Sequence, residues 1–419
     1  MNAVCLTPPT GPIRATIPLA SSKSESNRAL IIDALTGFHG QLTNLSTARD
    51  TQTMIRLLHA DNPIADVLDA GTTMRFLTAY FAVTGQQKTL TGTPRMCERP
   101  IGILVDALRT LGADISYLKN DGYPPLQLNG FSPTGQSVVS LRGDVSSQYV
   151  SALLMIAPML PTGLTLELTG TVGSKPYIEM TLAQMAYFGI EARTDWTAQT
   201  ITIPAGSYTP KPYAIESDWS GASYWYSTLA LAPDGSTLEL LGLKQHSLQG
   251  DSAVVSIMRQ LGVHSEFTEA GVTLTKIPAQ PTLSWDFADC PDLAQTVAVC
   301  CAGLDIPLTL TGVESLKIKE TDRIAALQTE LRKIGAELTE VEPNTRYEVR
   351  RWVDARPAQT TGDAVPTIST YDDHRMAMAF APVAMRQSVV IAEPGVVAKS
   401  YPSFWDDFGT VVGVLTEIN

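Results

Sequence analysis

Leu108-Arg109-Thr110-Leu111-Gly112-Ala113-Asp114-Ile115 is a pattern that the chain writes four times. It returns as Met185-Ala186-Tyr187-Phe188-Gly189-Ile190-Glu191-Ala192, as Met258-Arg259-Gln260-Leu261-Gly262-Val263-His264-Ser265 and as Leu331-Arg332-Lys333-Ile334-Gly335-Ala336-Glu337-Leu338. Each copy reads as the last turn of an amphipathic helix, a glycine, then a strand. Gly at a helix C-terminus takes the left-handed conformation at least cost, which explains why Gly recurs there. The four glycines (112, 189, 262, 335) are 77, 73 and 73 residues apart. Phe408-Gly409 stands where a further copy would close, and Met54 to Ala60 reads as a truncated first one.

A second kind of segment alternates with the first: an apolar helix followed by a short strand that often ends in Gly. Thr73 to Gly92, Ser147 to Gly170, Ala222 to Gly242 and Ala294 to Gly312 fit this template, and Ser26 to Leu45 and Arg375 to Pro394 fit it more loosely. A fixed period with two alternating sub-elements marks a repeat architecture. Strands that follow helices give an α/β or α+β class built from βαβ-like units. The Pro-rich stretch Pro204 to Pro212 is the expected linker and divides the repeats three and three. Residues 1–20 precede the first helix and are expected to pair with the second half, so that the chain crosses twice.

A chain of 419 residues supports two or three domains with large cores. With 17% charged and 44% apolar residues, disorder is excluded. A net charge of -12 and a pI near 4.9 argue against nucleic acid or an anionic membrane as partner. The five cysteines form no CxxC pair and no metal-like spacing with the five histidines, so a reducing cytoplasm and no metal or cofactor are expected. No signal peptide and no run of 18 apolar residues stands out.

Against that acidic background, cations gather beside small polar residues where apolar helices begin. The segments are Ser22-Lys23-Ser24-Glu25-Ser26-Asn27-Arg28, Arg95-Met96-Cys97-Glu98-Arg99-Pro100, Lys317-Ile318-Lys319-Glu320-Thr321-Asp322-Arg323 and Asp372-Asp373-His374-Arg375. Free N–H groups at a helix start favour anions, so these segments read as a local anion site. Ser22-x-x-Glu25 has capping-box spacing and predicts a helix start. Asp69-Ala70-Gly71-Thr72-Thr73 and Gly143-Asp144-Val145-Ser146-Ser147-Gln148 repeat the theme; Asp218-Trp219-Ser220-Gly221 does so in a form that is equally well structural. Gly170 to Lys175 has the wrong order for a nucleotide-binding P-loop. Glu320 and Arg323, three apart, share a face if helical, as an acid or base held among cations or as an ordinary ion pair. Asp292, ahead of an apolar helix, reads as an N-cap or a base.

Together the segments resemble the EPSP synthase (3-phosphoshikimate 1-carboxyvinyltransferase) family. The resemblance runs from Ser22 to about Phe404 and is carried by Ser22-Lys23-Ser24-x-Ser26-x-Arg28, Ala70-Gly71-Thr72, Arg95-Met96-x-Glu98-Arg99-Pro100-Ile101, Val145-Ser146-Ser147-Gln148, Ser174-Lys175-Pro176-Tyr177, Lys319-Glu320-Thr321-Asp322-Arg323, Asp373-His374-Arg375-Met376-Ala377-Met378 and Ala398-Lys399. It implies a two-domain inside-out α/β barrel of α+β character, each domain three βαβαββ repeats, with the active site in the interdomain cleft. The implied domains are 21–214 and 1–20 plus 215–419. The implied reaction moves the enolpyruvyl group of phosphoenolpyruvate to the 5-hydroxyl of shikimate 3-phosphate through a tetrahedral adduct, releasing phosphate.

By matching position, the resemblance implies that Lys23, Ser24, Arg28, Ser146, Ser147, Gln148, Ser174, Tyr177, Asp292, Ser315 and Lys319 bind shikimate 3-phosphate. It implies that Lys23, Gly71, Arg99, Gln148, Arg323, Arg375 and Lys399 bind phosphoenolpyruvate. Asp292 is the implied base on the 5-hydroxyl, Glu320 the acid at the enol methylene, and Lys23 and His374 complete the catalytic set. Glyphosate is the implied competitor of phosphoenolpyruvate, and a cytoplasmic monomer is expected. The sequence departs from the family at Asp69 (usually Asn), Phe76 (often Pro) and Ser315 (often Asn). The related UDP-N-acetylglucosamine enolpyruvyl transferases usually carry a reactive Cys five residues before the equivalent of Arg99; here Pro94 stands there. A silent phosphometabolite binder is the third alternative.

Overall fold

The computed structural model describes residues 2–144, 146–352 and 365–418. The chain separates into two compact units, one formed by residues 21–215 and the other by 1–20 together with 216–419. Each is organised around three buried helices. In the 21–215 unit these are α1 (Lys23–Leu35), α2 (Gly71–Val83) and α3 (Ser147–Ile156), and they pack on one another. In the 216–419 unit they are α4 (Trp219–Leu231), α5 (Ala294–Leu304) and α6 (His374–Phe380), again in mutual contact. These are the apolar helices of the sequence template. A helix that is apolar all round has no face suited to water, so it goes to the middle and the sheets lie outside it. Fully buried Phe76, Leu77 and Phe81 on α2 are worth roughly 1.5–3 kcal/mol each.

Apart from the shortened first, each repeat runs strand, inner helix, parallel strand, outer helix, antiparallel pair. Residues 64–131 give the order Ile64–Asp66, Lys88–Thr91, Leu126–Phe131, Ala113–Tyr117 within one four-stranded sheet. Residues 138–203 and 283–351 repeat it. The other repeats are completed from elsewhere in the chain. Arg14–Ile17 lies parallel to Thr237–Leu241, Ala3–Thr7 lies between Val389–Ala392 and Val414–Ile418, and Pro212–Ala214 pairs in parallel with Gln41–Thr43. That last sheet has two strands, which agrees with a shortened first repeat. No strand joins one sheet to the next among the described residues, so no closed barrel of strands forms.

The four period-marking glycines all have positive φ: +115° at Gly112, +94° at Gly189, +93° at Gly262 and +84° at Gly335. Gly409 differs. It is right-handed, with φ −57°, and the strand Val414–Ile418 begins five residues later. There the turn is set by Gly413, whose N–H donates to the Thr7 carbonyl as the strand joins Ala3–Thr7. The Pro-rich stretch is not a free linker. Tyr208 is buried with its hydroxyl on the Met155 carbonyl at 2.8 Å, and Gly206 and Thr209 donate to Pro158 and Phe188, so the stretch is tied into the 21–215 unit.

Candidate active site

In the 21–215 unit the cations stand at helix starts, as the capping signals predict. Ser22 caps α1 by accepting from the Glu25 N–H, which puts Lys23 at the first helical position. The Glu25 carboxylate accepts from the Tyr213 hydroxyl. Lys23 Nζ is 3.2 Å from Asp50 Oδ2, and the Asp50 carbonyl accepts from Thr73 near the start of α2. Gln148, in the first turn of α3, donates to Thr72 at 3.0 Å. Lys23, Gly71, Thr72 and Gln148 are thus linked through the starts of three helices.

Arg99 is laid against Gly71. A Cβ at position 71 would stand 2.7 Å from Arg99 Nη1 and 3.0 Å from Cζ, so only glycine admits the guanidinium there. The loop carrying Arg99 is held from behind: Arg75 donates to the Pro100 carbonyl at 2.9 Å and Tyr149 to the same oxygen at 2.5 Å. Arg28 is buried. It donates to Thr181, Ser151 and the Ser24 and Tyr177 carbonyls, and its plane lies over Phe76 and Tyr177. Burial draws its pKa down to about 10, against the opposing pull of Tyr177 and Glu25. Ser146 caps α3, and Ser174, with φ +54°, opens the helix Lys175–Tyr187. Val145 lies outside the described residues.

In the 216–419 unit, Arg323 is a hub. Its Nε donates to Asp373 at 2.7 Å, Nη2 to Glu320 at 2.9 Å and Nη1 to Asp292 at 3.1 Å, with 1% of the side chain exposed. Arg375 Nη2 reaches Asp292 at 2.7 Å, Lys319 lies 3.8 Å from Asp292, and Lys399 is 3.3 Å from Glu320. Burial alone would raise the Asp292 carboxyl, but Arg375, Lys319 and Arg323 outweigh it and hold the group well below the usual carboxylate range. Burial lowers the pKa of Lys319, with Asp292 opposing. For Arg323, burial works downward, yet Asp373, Glu320 and Asp292 carry its pKa upward.

Asp292 is not an N-cap: it sits in the turn Pro291–Leu293 and faces cations. Glu320 and Arg323 pair at the expected spacing but not as helix neighbours, because the helix Arg323–Glu330 begins after Glu320 with Asp322 as its cap. His374 opens α6 and is 1% exposed, its Nδ1 3.7 Å from Asp373. Ser315, half-buried on the turn Glu314–Ile318, makes no hydrogen bond to the cluster among the described residues. Ser147, at the first position of α3 between Ser146 and Gln148, likewise makes no side-chain hydrogen bond among the described residues. Sequence reasoning passed over Asp50, an acid in the first turn of the helix Arg49–Leu58. It placed Asp373 in a cation-bearing segment without a role of its own, and it overlooked the contact between Ser220 and Asp251.

The sequence pattern of EPSP synthase (3-phosphoshikimate 1-carboxyvinyltransferase) matches residues 59–408. A 3-phosphoshikimate 1-carboxyvinyltransferase from Bacteroides fragilis (strain YCH46) is 51% identical over 409 residues, covering 96% of this chain and 97% of that one. One from Cellvibrio japonicus is 38% identical over 434 residues, covering 96% and 98%. The chain belongs to the EPSP synthase family. Membership places it among the carboxyvinyl transferases of the shikimate pathway. A solved EPSP synthase from Acinetobacter baumannii, 17% identical, has the same fold, with a TM-score of 0.77 over 100% of both chains.

Within the EPSP synthase family, two departures have a structural account here. Asp69 accepts two bonds from Arg49 Nη2, at 2.8 and 3.0 Å, a pair that ties the first residue of the helix Arg49–Leu58 to the loop opening α2. Phe76 supplies the ring face under Arg28, 5.4 Å from its centroid. Nothing in the structure explains Ser315. Among the described residues, no helix is long and apolar enough to cross a membrane.

Proposed function

We propose that the chain transfers the enolpyruvyl group of phosphoenolpyruvate to the 5-hydroxyl of shikimate 3-phosphate and releases phosphate. The observation that carries this reading is the Arg323 hub, where two carboxylates, Asp292 and Glu320, are held by four cations. Two multiply charged anions need many cations, and an addition–elimination needs one group to take a proton and another to give one. Asp292 is the base on the 5-hydroxyl, which attacks C2 of phosphoenolpyruvate. Glu320 protonates the C3 methylene, giving the tetrahedral adduct, and then takes a proton back from that methyl group as the C–O bond to phosphate breaks.

Ser146, Ser147, Ser174 and Lys319 are assigned to the shikimate phosphate, with Ser24 and Ser315 beside them. Arg28, Gln148 and Tyr177 orient the ring. Because the Arg28 guanidinium is buried and fully engaged, its part is to fix Ser24 and Tyr177. Gly71, Arg99, Arg323, Arg375 and Lys399 take phosphoenolpyruvate, Lys23 and Gln148 meet both substrates, and His374 supports the acid or the phosphate. The two units act as the two domains of the transferase, in a cytoplasmic monomer that glyphosate inhibits in competition with phosphoenolpyruvate.

Phosphate release from purified protein with phosphoenolpyruvate, adding shikimate 3-phosphate or UDP-N-acetylglucosamine in parallel, tests this. Release with shikimate 3-phosphate alone supports the reading. Release with the nucleotide sugar alone, or with neither, overturns it.

A further inference from the structure

Asp251 lies on the short turn Gly250–Ala253 against α4 and is 2% exposed. Its Oδ2 accepts a hydrogen bond from Ser220 Oγ, while Oδ1 has no partner among the described residues. Ser220 Oγ is also 3.5 Å from Arg375 Nη2, the nitrogen that donates to Asp292 at 2.7 Å. Arg375 therefore stands between two carboxylates, one in direct contact and one reached through a hydroxyl. A buried carboxylate with a bare oxygen is costly to keep charged unless a nearby cation offsets it, and Arg375 is the cation that Ser220 links to Asp251.

We propose that Asp251 is a positioning residue of this site: acting through Ser220, it sets how firmly Arg375 is held inside the unit and thus how much of that cation is offered to phosphoenolpyruvate. The proposal rests on the transferase reading above and adds to it a residue that governs affinity for one substrate. When Asp251 carries a proton, it no longer draws on Arg375, and more of that cation's charge is offered to the substrate. When Asp251 is ionised, it competes with the substrate for the same guanidinium.

The competition falls in an accessible pH range. Burial, then the neighbouring Asp292 charge, pushes the Asp251 carboxyl up to about 7, against Arg375 and the Ser220 hydrogen bond, which both favour ionisation. Asp218 also faces Asp251, from the cap of α4. Cys290 faces it too, but burial and the Asp251 charge push that thiol up to about 12, so it stays neutral through the range of interest.

The test is the KM for phosphoenolpyruvate at saturating shikimate 3-phosphate, followed from about pH 5.5 to about pH 8.5 across the Asp251 titration. Wild type, Asp251→Asn and Ser220→Ala are compared. The substrate's own ionisation is common to all three and cancels in ratios. Wild type and Asp251→Asn are expected to match at the acid end, with the wild-type KM rising to about five- to tenfold above the variant at the alkaline end. Ser220→Ala removes the hydroxyl through which Asp251 reaches Arg375, so its KM is expected to lose the alkaline rise and follow Asp251→Asn. A merely structural Asp251 would give a wild-type to Asp251→Asn ratio that is flat with pH, and that result overturns the proposal. If Asp251→Asn does not fold, Ser220→Ala decides: a KM that still rises at alkaline pH as the wild type's does overturns it. Absence of phosphate release by the wild type is a separate result, which sinks the transferase reading and this inference with it.

Discussion

Replacing Asp373 probes the Arg323 hub most directly, because one side chain performs two separable tasks. Its Oδ1 accepts from the Arg375 N–H at 2.9 Å and caps α6, while its carboxylate pairs with Arg323 through Nε at 2.7 Å and Nη2 at 3.4 Å. Asp373→Asn keeps a capping oxygen and removes the charge; Asp373→Ala removes both. Arg323 is 1% exposed, so a lost partner is not replaced by water. Breaking a buried pair costs about 3–5 kcal/mol when nothing else compensates. Here Glu320 and Asp292 remain on the same guanidinium, so about 2–3 kcal/mol is the expected loss for Asn. Ala adds roughly 1 kcal/mol for the cap.

Urea unfolding followed by tryptophan fluorescence suits the measurement. Trp219, Trp225, Trp285, Trp352 and Trp405 lie in the 216–419 unit and only Trp196 in the other, so the signal reports on the unit that carries the hub. A loss under about 1 kcal/mol for Asp373→Asn would mean that Glu320 and Asp292 hold Arg323 without help, and the hub argument would fail. Equal losses for Asn and Ala would show that the cap contributes nothing.

Three further outcomes are expected. Gly71→Ala must push the Arg99 guanidinium away from its resting place, since the new Cβ falls 2.7 Å from Nη1. The KM for phosphoenolpyruvate should rise about 10- to 100-fold, as for a spoiled charge-assisted bond, with no loss in thermal stability; an unchanged KM in a folded variant would refute this. Arg28→Lys exchanges a fork serving four acceptors for a single ammonium in a buried place and should cost about 2–4 kcal/mol, read by the same unfolding method in near-ultraviolet absorbance; a loss within error would show that the fork is dispensable. The depressed Asp292 carboxyl contributes stability that is fully present above its unfolded value of about 3.9 and is lost as pH falls toward the folded value. The stability gap between wild type and Asp292→Asn should therefore narrow below about pH 4, and a gap that stays constant contradicts the pairing.

The repeats were legible because two local rules agreed at every copy: apolar runs too hydrophobic to face water, and a glycine where the backbone turns left-handed. Gly112, Gly189, Gly262 and Gly335 obey both. Gly409 obeys only the spacing, because its strand is positioned by a partner at the other end of the chain, Ala3–Thr7, which no local pattern reveals. Lys23, Arg99 and Glu320 stood out as candidates because they lie in contiguous motifs of cations and small polar residues. Asp50, Asp251 and the Arg75–Tyr149 brace on Pro100 did not. Their meaning lies in contacts over long sequence separations, and each alone looks like a helix-start acid, a turn residue or core.

On the proposed assignment, the hub also accounts for a strongly ionised carboxylate being used as the base. In the resting protein Asp292 is a poor one, because Arg375, Lys319 and Arg323 stabilise its charged form. Two of those cations, Arg375 and Lys319, are the groups assigned to phosphoenolpyruvate and to the shikimate phosphate. Coupling between ligands is reciprocal: an anion that draws these cations from Asp292 raises its proton affinity by as much as protonating Asp292 would tighten the anion. On the proposed assignment the base is thereby strengthened only when both substrates are present, so that the 5-hydroxyl is deprotonated only beside the carbon it attacks. Glu320, held by Arg323 and Lys399, is arranged on the same plan at the other side of the hub. The internal counter-ions have a second consequence: three carboxylates offset the mutual repulsion of the four buried or half-buried cations in the free protein. An apolar replacement of Asp292 would therefore remove the base and also leave Arg375 and Lys319 without their resting partner, so its effect on substrate binding and its effect on turnover should separate, with turnover lost while phosphoenolpyruvate binds at least as tightly.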